Sequence, residues 1–407
     1  MIALNKLSSL SKKCRCGNNH YDISIDHIVI DYNALNQAVS YITNQSFQKV
    51  AIIADQTTFE VAGQRLSYLL TESNVNHETV VIQVNEVNDV IADERSLIEA
   101  MLGISQDTDV VIAVGAGTIH DITRFASFKM GKPFISVPTA PSVDGFNSMG
   151  APVVIKGMKI TYQMQSPIAL FADITILKEA PKEMIAAGFG DMSGKYTSLA
   201  DWKFSHLIGD EPYCQLAAQL TKEALEDCVK NTDLIIKAED DGIKILIEAL
   251  IQSGLAMLLV GHSSPASGSE HHLSHYWEME FLKQNQAQVL HGAKIGVSSQ
   301  LILNLYKHDV LKLISDKSGL EQINTKDKDI FHRVIEKKDD LADIINSLPE
   351  AATLTLLLQK LSGATHPADL GISPELVRNS LNEAHRLRNR YTMLRFWNEH
   401  GGVHHYE

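Results

Sequence analysis

The sequence predicts two domains, an α/β domain over residues 1–180 and an all-helical domain over residues 181–407. Up to about residue 177, short runs rich in β-branched residues alternate with amphipathic helical runs, which is the pattern of a parallel sheet covered by helices. From about Pro181 the strand-like runs nearly vanish and helical periodicity dominates. A chain of 407 residues also exceeds one typical hydrophobic core, which favours two domains.

In the first part, predicted strands alternate with predicted helices. The clearest strand is 49–55, a continuous apolar run that ends in Asp55 and has the composition of a buried parallel strand. Thr57 is expected to cap the helix that follows it. The predicted strands are 27–30, 49–55, 78–84, 109–114, 133–137 and 170–177, and the helices between them are 33–43, 57–70, 93–101 and 119–130.

In the second part, helical patterns follow one another without a fixed-period repeat or a low-complexity linker. They cover 181–203, 214–238, 242–260, 268–283, 291–307, 326–338, 349–361 and 374–397. The tail, 400–405, is rich in Gly and His and is expected to be a frayed end.

Composition and charge exclude several classes of function. The formal net charge is −13, and the sequence contains no run rich in Lys and Arg. We therefore expect neither a nucleic-acid nor an anionic-membrane partner. The longest apolar stretches are broken well before the ~20 residues needed to cross a bilayer. The N-terminus lacks the apolar core and cleavage site of a secretory signal, so a cytoplasmic protein is expected.

The four cysteines, at positions 14, 16, 214 and 228, do not resemble a disulfide framework in a chain of this length. Cys14 and Cys16 fit either a metal site or, more simply, an exposed reduced pair. A reducing compartment agrees with both readings.

The stretch 267–275 reads as the start of a helix on which His271 and His275 share one face, because they are four residues apart. His291 stands just ahead of another helical run, and Asp191 lies between small residues upstream. One carboxylate with two or three imidazoles suits a divalent metal that keeps an open position. Solvated or capping histidines are the alternative, since the chain has 17 His.

A glycine-rich turn, Gly115-Ala-Gly-Thr-Ile-His-Asp121, joins a predicted strand to a predicted helix. Such a turn allows close backbone approach, and a helix N-terminus offers free N–H groups to a phosphate. The third glycine of the dinucleotide fingerprint is absent, so a plain strand-to-helix turn is an equal alternative. Asp55, at the end of its strand, fits either a ribose contact or a helix cap.

The loop 136–148 follows another predicted strand and combines two prolines and a glycine with polar side chains. Loops after parallel strands are where α/β sheets bind ligands, although a solvated polar loop has a similar composition. Its polar residues are Thr139, Ser142, Asp144, Asn147 and Ser148.

Taken in order, the motifs Gly-Ala-Gly-Thr-Ile-His-Asp, Pro-Thr-Ala-Pro-Ser-Val-Asp-Gly, Gly-Phe-Gly-Asp, Ser-Gly-Ser-Glu-His and His-Gly resemble the sn-glycerol-1-phosphate dehydrogenase family. The resemblance spans roughly residues 25–395 and is closest to the bacterial branch. That family belongs to the dehydroquinate-synthase-like and iron-type alcohol dehydrogenase-like group. It implies an N-terminal nucleotide-binding α/β domain, a C-terminal helical domain and a metal in the cleft between them.

The resemblance also implies roles for individual residues. Metal ligands would be Asp191, His271 and His291, and the metal would be nickel, as described in the bacterial branch, or zinc, as in the archaeal one. Asp144, Asp191 and His275 would contact substrate, and His275 and Asp191 would act in catalysis. The nucleotide contacts, to NAD or NADP, would be Asp55, Gly117, Thr118, Ile119, His120, Asp121, Thr139, Ala140, Pro141, Ser142 and Ser148. Two residues depart from the family pattern: His272, where an apolar residue is usual, and His120, where a small amide is commoner.

The implied reaction is the reversible reduction of dihydroxyacetone phosphate to sn-glycerol 1-phosphate by a homodimer. Nicotinamide C4 would deliver the hydride, the metal would act as a Lewis acid, and His275 or a water that it orients would supply the proton. Glycerol dehydrogenase is the near alternative. A dehydroquinate-synthase-like lyase, which needs many basic groups, is a second, with Lys195 and Lys294 as its visible candidates. A non-enzymatic metal or nucleotide sensor is a third.

Overall fold

A six-stranded parallel sheet forms the first half of the protein in a computed structural model that describes residues 2–315, 328–401 and 406. Its strand order is β1-β8-β5-β4-β2-β3, which confirms the predicted parallel α/β sheet. A separate antiparallel hairpin, β6–β7, lies outside it. The strands are β1 (His27–Asp31), β2 (Lys49–Asp55), β3 (Asn76–Ile82), β4 (Val110–Gly115), β5 (Phe134–Pro138), β6 (Gly150–Ile155), β7 (Met158–Gln163) and β8 (Ala169–Asp173).

Helices cover both faces of the sheet and dominate the second half of the described chain. Those of the first half are α1 (Leu4–Lys13), α2 (Ala34–Asn44), α3 (Gln56–Thr58), α4 (Gln64–Glu72), α5 (Glu94–Gly103) and α6 (Gly117–Lys129). Those of the second half are α7 (Ile174–Leu177), α8 (Lys182–Ser193), α9 (Lys195–Gly209), α10 (Gln215–Lys230), α11 (Thr232–Ile236), α12 (Asp240–Val260), α13 (Ser269–Lys283), α14 (His291–Asn304), α15 (Leu311–Ser315), α16 (Lys328–Glu336), α17 (Lys338–Asn346), α18 (Ala351–Lys360), α19 (Pro374–Glu383) and α20 (Met393–His400). Short π-helical segments lie at Phe59–Gly63 and Leu305–Val310, and 3₁₀ turns at Gly145–Asn147, Pro367–Leu370 and Ala384–Arg386.

Two predicted elements are corrected by the structure. The cap of α3 is Asp55 and not Thr57, because the Asp55 carboxylate accepts the Thr58 N–H at 2.8 Å and the Thr58 hydroxyl accepts the Asp55 N–H in return. The last strand of the sheet ends at Asp173, whose side chain caps α7, so residues 174–177 are helical. Residues 326–327 of the predicted helix 326–338 and residues 402–405 of the predicted tail 400–405 lie outside the described residues.

The hairpin β6–β7 was not predicted from the sequence. Its strands are joined by a two-residue turn, Lys156-Gly157, in which both residues have positive φ. This is the turn geometry that two-residue hairpins favour, and glycine adopts it without strain. The hairpin carries Lys159 towards the helical half, where Lys159 pairs with Glu278 of α13 at 2.7 Å.

The hydrophobic core has one cluster on each face of the sheet and a large cluster within the helical half. The helical cluster also includes Leu7 of α1 and Leu170 of β8, so the N-terminal helix packs against the second half of the chain. The 21-residue helix α12 is long and apolar enough to cross a membrane, but 78% of its apolar window is buried inside the protein, as in the core helix of a soluble protein. The span Lys338–Lys360 passes the same test with 33% burial and comprises the two shorter helices α17 and α18. The boundary at residue 180 stays a prediction.

Candidate active site

Asp191, His271 and His291 converge from three helices. They belong to α8, α13 and α14, and their ligand atoms all lie within 4.8 Å of one another. The rings of His271 and His291 have centroids 5.2 Å apart. Asp191 is fully buried and His271 is nearly so. One carboxylate oxygen and two imidazole nitrogens at this spacing are a donor set that fits a divalent cation with an open coordination position.

Glycines allow this convergence, because they let α8 and α14 touch backbone to backbone. A Cβ on Gly190 would stand 2.3 Å from the carbonyl oxygen of Gly292, and a Cβ on Gly292 would stand 1.9 Å from that of Ala187. Any larger residue would therefore push the two helices apart. Asp191 follows the first glycine and His291 precedes the second, so this close contact brings the carboxylate to the imidazole.

Glu270 holds His271 in a defined orientation. Its Oε1 accepts from Nδ1 of His271 at 2.7 Å, which leaves Nε2 without a proton and free to bind a cation. Its Oε2 accepts the Thr197 hydroxyl at 2.6 Å, and Oε1 also accepts the Gly268 N–H. Burial lowers the pKa of His271 well below its usual value, with His291 and Lys195 adding to the effect, so the imidazole is neutral as a ligand must be.

Lys195 joins Asp191 to Asp144, a link that the sequence analysis did not predict. Its Nζ lies 2.9 Å from Asp191 Oδ1 and 2.8 Å from Asp144 Oδ2, and the Asp144 N–H donates to Asp191 Oδ2 at 2.9 Å. Burial raises the pKa of Asp191 to about 6, Asp144 adds to the rise and Lys195 opposes it. The lysine therefore opposes the effect of burial and helps to keep the Asp191 carboxylate ionised.

A cavity of about 300 Å³ lies beside this cluster and brings several predicted residues together. Its wall includes parts of the glycine turn, of the loop after β5 and of the histidine helices. The predicted site residues that line it are Gly117, Thr118, Asp121, Ser142, Asp144, Ser148, His271, His275 and His291.

Several residues predicted to contact a nucleotide have buried side chains that do not line this cavity: Ile119, His120, Thr139 and Ala140. His120 is wholly enclosed; its Nδ1 lies 2.9 Å from the Ala116 carbonyl and its Nε2 lies 2.7 Å from the Ser136 hydroxyl. Both ring nitrogens are thus used inside the protein, and the structure gives no support to a nucleotide contact through this side chain. Pro141 is held under α8, because a Cβ on Gly188 would meet its carbonyl oxygen at 1.8 Å.

His275 faces the same cavity as His271 and has polar partners on both ring nitrogens. Arg388 donates to its Nε2 at 3.0 Å, and its Nδ1 lies 3.5 Å from Glu278. Burial lowers the pKa of His275 to about 3, with Lys159 adding to the effect, so the ring is neutral near pH 7.

Three basic side chains, Lys159, Lys294 and Arg388, line the cavity, and only Lys294 was named from the sequence. Lys159 and Lys294 lie 2.7 Å and 3.5 Å from the carboxylate of Glu278, and Arg388 donates to the Ser267 hydroxyl at 2.8 Å. Burial and then Arg390 lower the pKa of Arg388 to about 10, which still leaves it charged at neutral pH. Part of this arrangement could have been predicted from helical spacing. Glu278 and Lys294 each come three residues after a histidine of the site, so each lies on the same helix face as that histidine.

His272 has a different environment from His271. It is fully buried, and neither of its ring nitrogens has a hydrogen-bond partner in the described part of the chain. Burial lowers its pKa well below the usual value, followed by Arg388. It is absent from the group of ligand atoms formed by its neighbour, so the structure separates the two adjacent imidazoles.

Comparison with known proteins gives concordant matches. Residues 29–181 match the family model described as iron-containing alcohol dehydrogenase. A protein of Geobacillus thermodenitrificans named glycerol-1-phosphate dehydrogenase (NAD(P)+) is 51% identical over 97% of this chain and 98% of its own length. A protein of the same name from Geobacillus stearothermophilus is 50% identical over the same shares. Among solved structures, a probable glycerol dehydrogenase from Sinorhizobium meliloti covers 90% of both chains with a TM-score of 0.63 at 13% identity, which shows the fold alone.

Proposed function

The chain belongs to the glycerol-1-phosphate dehydrogenase (NAD(P)+) family, and from this premise we propose that it catalyses the reversible reduction of dihydroxyacetone phosphate to sn-glycerol 1-phosphate. NADH or NADPH is the hydride donor, and one divalent metal, nickel or zinc, is the cofactor. The single observation that carries the proposal is the cavity in which the Asp191, His271 and His291 cluster faces both the glycine turn and three basic side chains. A cytoplasmic homodimer belongs to the same proposal.

The donor set of the cluster supports the metal part of the proposal. Asp191, His271 and His291 would hold the cation, Glu270 would keep His271 in the ligating tautomer, and Lys195 would keep Asp191 ionised. A divalent cation bound there supplies Lewis-acid stabilisation of the oxygen at the reacting carbon. Asp144 lies at the cavity wall and accepts from Lys195 and from the Ser253 hydroxyl at 2.8 Å. It is thus fixed in place to contact the substrate hydroxyl group.

The basic side chains support a phosphate ester as substrate over a neutral polyol. Lys159 and Lys294 pair with one carboxylate, that of Glu278, and Arg388 donates to the neutral Ser267 and His275, so positively charged donors remain for a bound anion on this side of the cavity. The wall also carries Asp89, Asp121 and Asp144, of which Asp121 pairs with Arg124 and Asp144 with Lys195. Charge-assisted hydrogen bonds from lysine and arginine side chains to phosphate are about twice as strong as neutral ones. These charged donors favour the phosphate ester over a plain polyol, since neutral dihydroxyacetone has no charge to pair with them.

The glycine turn supports nucleotide binding at the carboxyl end of β4. Gly117 begins α6, and a side chain on it would come within 3.0 Å of Val143, so the turn is tightly packed against the loop after β5. The first N–H groups of α6 can receive the nucleotide phosphates. Asp55 ends β2, which lies next to β4 in the sheet, so its carboxylate stands on the same edge.

His275 is proposed to handle the proton, directly or through a water. A neutral imidazole can accept the hydroxyl proton when glycerol 1-phosphate is oxidised, and Glu278 on the other side of the ring can stabilise the imidazolium that results. In this structure Arg388 donates a hydrogen bond to Nε2 of His275. For His275 to accept a proton at Nε2, the Arg388 guanidinium would have to leave that nitrogen and bind the substrate instead.

The test is NADH oxidation with three substrates: dihydroxyacetone phosphate, dihydroxyacetone and a deoxyheptulosonate phosphate. Enzyme stripped by a chelator and reloaded with nickel or zinc should oxidise NADH with dihydroxyacetone phosphate, and the product should be the sn-1 enantiomer. Equal or faster turnover of dihydroxyacetone would instead identify a glycerol dehydrogenase. Conversion of the deoxyheptulosonate phosphate without net NADH oxidation would identify a lyase.

A further inference from the structure

A second cluster of soft ligand atoms joins the N-terminal segment to the helical half of the protein. Cys14, Cys16, His20 and Cys214 each contribute one ligand atom, and the four atoms all lie within 4.8 Å of one another. The first three come from the segment that follows α1, and Cys214 is the residue just before α10. The cluster shares no residue with the cavity described above. We propose that it is a structural zinc site with three cysteine ligands and one histidine ligand.

The distances between the ligand atoms match tetrahedral zinc coordination. Bond lengths of about 2.3 Å to sulfur and about 2.0–2.1 Å to nitrogen place two sulfurs about 3.8 Å apart, and a sulfur and a nitrogen about 3.5 Å apart. The Sγ atoms of Cys14 and Cys214 are 3.9 Å apart. The His20 Nε2 lies 3.4 Å from the Cys16 Sγ and 3.3 Å from the Cys214 Sγ. A disulfide needs about 2.05 Å between sulfurs, so the observed spacing is that of a shared ligand shell and not of a bond.

The groups around the cluster orient it as they do in zinc sites. The Nδ1 of His20 lies 3.2 Å from the Ser11 carbonyl, to which it can only donate, so Nε2 carries the lone pair that faces the sulfurs. Asn18 donates its amide to the Cys16 sulfur at 3.4 Å and to the Tyr213 carbonyl at 3.1 Å. The Ala217 N–H, in the first turn of α10, donates to the Cys214 sulfur at 3.5 Å. N–H groups that donate to sulfur favour the thiolate, the form that binds metal.

The crowding of the four ligand atoms also favours a bound cation. Cys14, Cys16 and His20 are partly buried and Cys214 is buried, so the three sulfurs and the imidazole nitrogen share one sheltered place. A divalent cation bound between them would accept a lone pair from each of the four atoms.

The structural consequence is a clamp that holds the N-terminal segment on the helical half. Leu7 is buried in the helical core, and the Tyr21 N–H donates to the Leu259 carbonyl at the end of α12 at 3.0 Å. Tyr21 then packs on Gly261, where a Cβ would stand 2.1 Å from its ring. Gly261 and its neighbour His262 line the catalytic cavity, so the clamp supports one wall of it from outside.

The test is zinc content in a chain that lacks the catalytic metal site. The background is the full-length His271→Ala/His291→Ala variant, purified under reducing conditions from zinc-supplemented medium without chelator. Elemental analysis should find one zinc per chain. Adding Cys16→Ser or Cys214→Ser should remove nearly all of it and lower the Tm. Adding Cys228→Ala, which changes a buried cysteine outside the cluster, should leave the zinc in place.

Cobalt binding to the unsubstituted chain tests the site without depending on whether the variants fold. Cobalt added to chelator-stripped protein should produce thiolate-to-cobalt charge-transfer absorption, and zinc should abolish it. Absence of zinc from the background together with absence of that absorption would overturn the proposal. Zinc retained by both cysteine-to-serine variants, or a Cys14–Cys214 disulfide found by peptide mapping of the purified protein, would do the same.

Discussion

Gly190 and Gly292 touch through their backbones, with no room for a side chain between them. A Cβ on Gly190 would stand 2.3 Å from the Gly292 carbonyl oxygen, a distance that real Cβ contacts do not reach. The two glycines flank Asp191 and His291, so the distance between α8 and α14 sets the distance between two proposed metal ligands. The metal site therefore depends on two residues that have no ligating atom.

Gly292→Ala is accordingly expected to weaken metal binding without touching a ligand. The added methyl group meets the Ala187 carbonyl at 1.9 Å, and overpacking of this kind costs about 1–3 kcal/mol of stability. Metal content after dialysis and urea unfolding are the measurements. Gly296→Ala on the same helix is the milder comparison and should retain more metal, because its Cβ would meet the flexible end of Leu358 at 3.1 Å and the Gly190 Cα only at 3.3 Å. Equal metal content in the two variants would refute the link between helix spacing and the site.

Replacing a proposed ligand should remove both metal and activity while the fold survives. Asp191→Ala, His271→Ala and His291→Ala each delete one donor of a three-residue set, and three donors leave no spare. Elemental analysis and circular dichroism of the purified variants are the measurements. His272→Asn is the matched control: it changes the adjacent buried imidazole and should keep the metal. Full occupancy in any one of the three alanine variants would remove that residue from the ligand set.

His275→Ala should keep the metal and the affinity for NADH but lose most turnover with dihydroxyacetone phosphate. The ring lies in the cavity with Arg388 and Glu278 as partners, outside the group of ligand atoms. Because its pKa is lowered to about 3, the imidazole stays neutral as the pH rises from 5 to 8, and its own titration should give no limb in the kcat profile there. Loss of metal along with activity would instead place His275 in the metal shell.

Lys294→Met should discriminate against the phosphate ester alone. Loss of one charge-assisted contact, worth about 1.5–3 kcal/mol, lowers kcat/KM for dihydroxyacetone phosphate roughly tenfold or more. The slower reaction with dihydroxyacetone should be unaffected, since it has no phosphate. Lys283→Met, at an exposed position on α13, is the matched charge control. A parallel loss with both substrates would mean that Lys294 supports the site in another way.

Asp55 should set a preference for NADH, and two variants separate this from its capping role. An acid at this place accepts from a ribose 2′-hydroxyl and repels a 2′-phosphate. Asp55→Asn keeps a side-chain acceptor for the Thr58 N–H but removes the charge, so NADPH use should rise with little change in stability. Asp55→Ala should also lose about 1 kcal/mol of stability with the cap. The measurement is steady-state kinetics with NADH and with NADPH. If the ratio of kcat/KM for the two cofactors is unchanged in Asp55→Asn, Asp55 does not determine the cofactor preference.

The strands and the site motifs were predictable because they are local. The run 49–55 is apolar throughout because it is buried on both faces, and the structure gives the strand the same bounds, Lys49–Asp55. The end of the last strand was missed because 174–177 is as apolar as a strand, and only the Asp173 cap turns it into a helix. The short hairpin was missed because its signal, a Lys-Gly turn, is two residues long.

By itself, the sequence determined which residues are chemically fit to act: the acid and imidazoles at 191, 271 and 291, and the glycine turn after a buried strand. Periodicity and residue chemistry are properties of neighbours along the chain, so they can be read without a fold. Only the tertiary structure decided which distant groups meet. It brought Lys159 from a hairpin and Arg388 from near the C-terminus to one cavity, and it placed Cys214 beside Cys14, Cys16 and His20, 194 positions or more away in sequence. Such meetings follow from the packing of whole elements, because a side chain's partners across a core depend on every helix and strand between them.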